Sequence, residues 1–175
     1  MSRFARLVIA VPLVLLLAAC APSLDWREVR PDGTAALVLL PCRPTVSARE
    51  VQLAGGPVRL LLNACSAGGQ TWALAAADMA DPARVTPALG MLRASALANL
   101  GAAAPAPLAL QVPGATPNPD SGRVAASGRM PDGTAVQAQV AVFAHGTWVF
   151  QATVLGASLP ADGVETFFGS LRLRP

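Results

Sequence analysis

The sequence predicts an α+β fold, an antiparallel β-sheet with one long helix and one C-terminal helix packed on it. Three observations carry this. The pentapeptide Pro-Asp-Gly-Thr-Ala occurs twice, at 31–35 and 131–135, each time between strand-like runs, as a hairpin turn requires. Between those strand groups Val85, Leu89, Leu92, Ala96 and Leu100 recur at helical spacing, with Arg93 and Asn99 off the stripe. A second helical segment, Pro160 to Phe168, comes before a short apolar ending at Leu171 and Leu173. Strands, helix, strands and helix in that order give α+β. The 175 residues suit one domain with its own core, and 53% hydrophobic with only 13% charged residues excludes disorder and coiled coil.

Taken in order, Trp26 to Arg30 and Ala35 to Leu40 are strands around the first Pro-Asp-Gly-Thr turn. Glu50 to Leu53 and Val58 to Ala64 flank Gly55-Gly56-Pro57, a second hairpin, and Ala67-Gly68-Gly69 turns into Thr71 to Ala77. Residues 25–78 thus read as one antiparallel meander. Asp81-Pro82 opens the helix, Asp as N-cap and Pro at the first helical position, with Thr86-Pro87 able to do the same one turn later. Gly101 is its C-cap. Leu108 to Val112 reads as a short strand and Pro113 to Gly122 as a surface loop. Arg123 to Met130, Ala135 to Phe143 and Thr147 to Leu155 follow as strands, the last two joined at Ala144-His145-Gly146. The repeated pentapeptide is the same turn chemistry used twice, because the next shared feature, Thr-Trp, does not keep a common period.

The N-terminus reads as an address. Arg3 and Arg6 precede an apolar stretch from Leu7 to Leu17, about half the roughly twenty residues a membrane-spanning helix needs. It ends in Leu17-Ala18-Ala19-Cys20, which resembles the lipobox of bacterial lipoproteins. The resemblance implies a signal peptide over 1–19, cleavage before Cys20, diacylglycerol on its sulfur and acylation of the new amino terminus. An ordinary signal peptide cut after Ala21 is the alternative. Ala21 rather than Asp after the Cys favours the outer membrane over retention in the inner one. Residues 20–24 form a lipidated tether too short to carry the domain far from the bilayer surface, and 25–175 form the single domain. Acyl chains at about 0.8 kcal/mol per buried methylene hold such a protein durably.

Processing takes Arg3 and Arg6 away and leaves 11 arginines against 10 acidic residues. The arginines are scattered, so no basic stripe exists and nucleic acid is excluded as a partner. With Cys20 lipidated, Cys42 and Cys65 remain as an even pair in an oxidising compartment, where they are expected to form a disulfide; two buried free thiols are the alternative.

Most of residues 25–175 resembles the PsbP/Mog-like α/β/α sandwich. The likeness rests on the meander, the long helix, the strand Trp148-Val149-Phe150-Gln151-Ala152 and the ending Glu165-Thr166-Phe167-Phe168-Gly169-Ser170-Leu171. In that family an aromatic ends the final helix and a Ser-hydrophobic pair re-enters the sheet. Its members include photosystem assembly subunits, a Ran-binding protein and envelope lipoproteins. Most bind partners, and the fold has no common catalytic site, so no functional residue is carried over.

Chemistry-bearing motifs are sparse. The only His is His145, expected in an exposed turn beside Gly146, with no Ser, Cys or acid next to it. No GxSxG, HExxH, P-loop or GxGxxG is present. Asp78, Asp81 and Asp120 are too few oxygens for a calcium site, and one His with three Cys makes no zinc site. The expectation is therefore a non-enzyme without metal or cofactor. Trp26, Trp72 and Trp148, each at or near a strand start, are candidates for an interface or a ligand cleft, with core packing as the plainer role. Trp26 could instead dip into the lipid headgroups. The expected function is an outer-membrane-anchored periplasmic lipoprotein that binds or assembles with another envelope component. Its partners would be the membrane, through the Cys20 lipid, and an envelope protein. The alternative is a carrier of a small apolar or lipid ligand in a cleft between sheet and helix.

Overall fold

The computed structural model describes residues 24–102 and 105–174; the expected signal peptide, the expected lipidation at Cys20 and the expected tether as far as residue 23 lie outside the described residues. Among the described residues there are ten strands: β1 Arg27–Val29, β2 Ala36–Leu40, β3 Thr45–Leu53, β4 Gly56–Ala67, β5 Gln70–Asp78, β6 Ala106–Leu108, β7 Gly122–Arg129, β8 Ala135–His145, β9 Trp148–Gly156 and β10 Arg172–Leu173. A 3-10 turn, Pro82–Arg84, leads into α1, Val85–Asn99, and α2 spans Ala161–Gly169. The fold is α+β, as the sequence predicts, with all strand pairs antiparallel.

The strands form two sheets, and here the expected single meander over 25–78 is corrected. β3, β4, β5, β9, β8, β7 and β6 lie side by side in that order, whereas β1, β2 and β10 form a separate three-stranded sheet. Strand alternation specifies which face of a segment is buried but not which sheet it joins. β2 is almost wholly buried, and its other edge is completed by β10 from the far end of the chain, Arg172 opposite Leu37 and Leu173 opposite Ala36.

The seven-stranded sheet buries both faces at its centre. Trp72, Leu74 and Ala76 of β5, Ala141 and Phe143 of β8, and Phe150, Ala152 and Val154 of β9 point one way. They pack against Val38 and Leu40 of β2 and Val164, Phe167 and Phe168 of α2. Ala77 of β5, Val140, Val142 and Ala144 of β8 and Val149 of β9 point the other way, onto Val85, Ala88 and Leu89 of α1. The layers are therefore α1, the large sheet, and a lid made of α2 with the small sheet. Strands buried on both faces read as nearly continuous apolar runs, which is why β8 alternates so poorly.

Local signals explain the ends. Asp81 Oδ1 accepts from the Ala83 amide at 2.9 Å, so Asp81 caps as expected, at the 3-10 turn ahead of α1. Gly101 has φ +56°, the left-handed step that ends α1. At Gly128 a Cβ would collide with the Leu100 carbonyl, and the next amide, Arg129, donates to that same oxygen at 2.9 Å. The absent side chain thus lets the end of α1 lie on β7. Arg84 fixes the other end of the helix: its guanidinium donates to the carbonyls of Leu53 at 2.8 Å and Ala54 at 3.0 Å, in the β3–β4 turn.

The short strand expected at 108–112 lies at Ala106–Leu108, and β3 starts at Thr45 rather than Glu50. Thr45 to Glu50 are all exposed, so no alternation marks them. The two central positions of the β3–β4 turn are Ala54 and Gly55, at φ +45° and +86°, one residue earlier than the sequence suggests.

Cys42 and Cys65 form a disulfide, Cα–Cα 6.0 Å. It joins the chain leaving β2 to β4, and so ties the lid to the large sheet. Closing a loop of this length contributes roughly 3 kcal/mol on the chain-entropy account. Replacing both cysteines by Ser should lower the unfolding free energy by about that amount, read as a lower denaturant midpoint at unchanged slope. An unchanged midpoint would mean that the lid is held without it.

Candidate binding cleft

The lid covers only part of the sheet. Over β3 and β4, toward the end of β5 and the start of β9, the same face is open and forms a cleft of about 660 Å³. Register explains its lining. Val46 pairs with Asn63, Ala48 with Leu61 and Asp78 with Trp148, and directly opposed residues share a face. The face is the one carrying Trp72 and Leu74, because Asn63 opposes Leu74. Asp32 and Gly33, in the β1–β2 turn, form the rim.

Asn63 is 3% exposed and its side chain lines the floor of the cleft. Asp78 is held in place by its Oδ1, which accepts from Thr147 Oγ1 at 2.7 Å and the Ala80 amide at 2.9 Å. Its Oδ2 has no hydrogen bond among the described residues. Arg59 and Asp32 line the cleft without an ion pair among the described residues. Trp148, half-buried, stacks on Phe150 with ring centroids 6.4 Å apart.

The outer edge of β3 adjoins the cleft. This strand has nine residues and pairs on one side only, with β4. Among the described residues nothing pairs with its other edge, and Val46 is 65% exposed.

The three tryptophans separate. Trp148 lines the cleft. Trp72 is 0% exposed in the core, where no partner can touch it, and its Nε1 donates to the Ala67 carbonyl at 3.3 Å. Trp26 is half-buried edge-on against Trp72, with centroids 5.8 Å apart.

Two features escape sequence reasoning. Asn63 looks like any polar residue in a strand; its signal is the inward parity it shares with Leu61 and Cys65. Arg123, one of the scattered arginines, is 6% exposed. It makes a two-pronged ion pair with Glu165 of α2, at 2.7 and 3.3 Å, bonds to Gln139 Oε1 and stacks over Phe168 at 4.0 Å. It therefore locks α2 onto β7 and β8. The Arg123 guanidinium holds the Glu165 carboxyl below its ordinary value.

His145 is not in the turn. It is the last residue of β8, opposite Trp148, and the turn is Gly146-Thr147. Because β8 runs longer than expected, the ring is half-buried, and its Nδ1 donates to the Gly114 carbonyl at 2.8 Å. Next to it the Gly146 amide donates to Thr116 Oγ1 at 3.0 Å, so His145 pins the loop before β7. Among the described residues no cluster of His, Cys, Asp and Glu could hold a metal ion, and no helix is long and apolar enough to cross a membrane.

Comparison of the chain with protein-family models, with curated proteins and with solved structures returns no match.

Glu165→Gln should remove a pH-dependent part of the stability. The folded-state pKa of Glu165 lies below its unfolded value near 4.5, so the pair contributes fully above that pH and is lost as pH falls through the folded value. Since the carboxylate side chain is 68% exposed, the contribution is below about 1 kcal/mol. Denaturant midpoints of wild type and variant should differ at pH 6 and converge in acid; parallel pH profiles would refute the pairing. His145→Ala should cost about 1 kcal/mol, the worth of one hydrogen bond and some packing. A cost near zero in chemical denaturation would place the ring back in solvent.

Proposed function

We propose that the protein is a lipoprotein, held at the periplasmic side of the outer membrane through Cys20, that serves as a non-catalytic binding or assembly module for another envelope component. The anchor rests on Leu17-Ala18-Ala19-Cys20 behind a short apolar stretch, and the disulfide suits an oxidising compartment. The observation that carries the binding role is the free edge of β3. Among the described residues nothing covers the outer edge of this nine-residue, Pro-free strand, and although Arg49 and Glu50 put charge on it, a long unpaired edge is a template for strand addition. The covering of both sheet faces and the return of Ser170-Leu171 after Phe168 support a PsbP/Mog-like arrangement, a fold whose members mostly bind partners.

A second reading has its own observation. A groove of about 370 Å³ lies between α1 and the large sheet, lined by Ala96, Leu100, Met130, Val140 and Leu155. Its mostly apolar wall suits a small apolar or lipid ligand. Co-purification of such a ligand, displaced by Leu155→Trp, would favour this reading.

The test of the main reading uses the full chain in its own envelope. A photo-reactive side chain at Arg49, in mid-β3 and away from the cleft, should give one dominant protein adduct, at least about tenfold above the yield from exposed Asp162 in α2. Equal yields at the two positions would remove the edge as an interface. Cys20→Ser should move the protein from the membrane to the soluble fraction; retention would remove the anchor.

A further inference from the structure

We propose that the cleft above β3 and β4 is a saccharide-binding site, with Trp148 as platform and Asn63, Asp78 and Arg59 as hydrogen-bonding groups. It is a different surface from the β3 edge and takes a different ligand.

The argument starts from what the cleft offers. It lies on the face of a sheet, where the backbone groups of β4 and β5 are already engaged with neighbouring strands. A ligand there meets mainly side chains, with the backbone of Gly33 at the rim. An extended polypeptide is recognised chiefly through its backbone and would use the edge instead. An acyl chain would leave Asn63, Asp78 and Arg59 without partners while displacing the water that serves them. A simple anion would find one guanidinium against the carboxylates of Asp32 and Asp78. The Asn63 amide, in the floor of the cleft, carries a donor and an acceptor together. Asp78 Oδ2 adds an acceptor and Arg59 adds donors.

Sugar hydroxyls both donate and accept, and neighbouring hydroxyls match planar amide, carboxylate and guanidinium groups in pairs. One face of a pyranose ring is lined with C–H groups, which pack on the flat face of an indole. Trp148 is pre-positioned for this by its stack on Phe150, and Asp78 by its two hydrogen bonds. A volume of about 660 Å³ falls in the range of small-molecule sites, about 300–1,000 Å³. The sugar could belong to a cell-wall glycan chain or to the head of an outer-membrane glycolipid; both present the same chemistry.

Calorimetric titration of the full mature chain with two probes tests this. An N-acetylglucosamine oligomer stands for the wall glycan, and a delipidated lipopolysaccharide core oligosaccharide stands for the glycolipid. At least one should bind, and which one does identifies the source. Trp148→Ala and Asn63→Leu should each weaken binding at least about tenfold. Should either misfold, Arg59→Ala and Ala48→Phe decide the matter, because both positions are exposed and the larger side chain at 48 fills the cleft. Binding undiminished in those two variants would put the site elsewhere and overturn the proposal. So would the absence of binding for both probes at about 10 mM. Since the titration needs neither the lipid anchor nor a protein partner, its failure would leave the β3 edge untouched.

Discussion

The structure depends on how one face of the large sheet is covered. Trp72, 0% exposed, sits at the centre of that face, with Phe167 edge-on at 5.5 Å and Trp26 at 5.8 Å. Those rings come from β5, from α2 and from the residue just before β1, so the two ends of the domain meet over the middle. Burying a large aromatic is worth a few kcal/mol, and here three rings do so against one another. The backbone follows. β10 pairs with β2, and the Leu39 amide donates to Ser170 Oγ at 2.8 Å while that hydroxyl donates to the Phe167 carbonyl at 2.7 Å.

A lid made from two short chain ends cannot cover seven strands. It closes over β5, β9 and β8 and stops short of β3 and β4. The disulfide marks the border, with Cys42 on the lid side and Cys65 in β4. Beyond it the face turns polar, through Asn63, Arg59 and Asp78, and β3 is exposed nearly throughout. The opposite face is held to α1 by Leu89 and Met79, and Arg84 fastens the β3–β4 turn to the start of the helix. The open half is therefore anchored at its β3–β4 turn and at Cys65 but bare on its face, which suits a preformed binding surface.

Local chemistry was legible in the sequence and assembly was not. The Pro-Asp-Gly-Thr turns, the Asp81 cap, the Gly101 ending and the Cys42–Cys65 pair each depend on a few neighbouring residues or on counting. The partition of β1 and β2 from β3 to β5 depends on β10, more than 130 residues further on, and no window along the chain contains that contact. Gly146 marks a turn without fixing which residues flank it, so the sequence alone does not place His145 at the end of β8. Arg123 and Asn63 were missed for a shared reason: a polar side chain at an inward strand position looks the same as one at an outward position until the register is known. Trp148 was singled out, but sequence alone could not separate it from Trp72, which differs only in lying under the lid.

The central claim is that the lid protects one half of the sheet and leaves the other half available. Amide hydrogen exchange on the full chain, read residue by residue, tests it most directly. Amides in β5 and β9 should exchange only through global opening, whereas along β3 every second amide, the set facing outward, should exchange fast. Uniformly slow exchange along β3, matching β5, would show that the edge is already covered and would contradict the account.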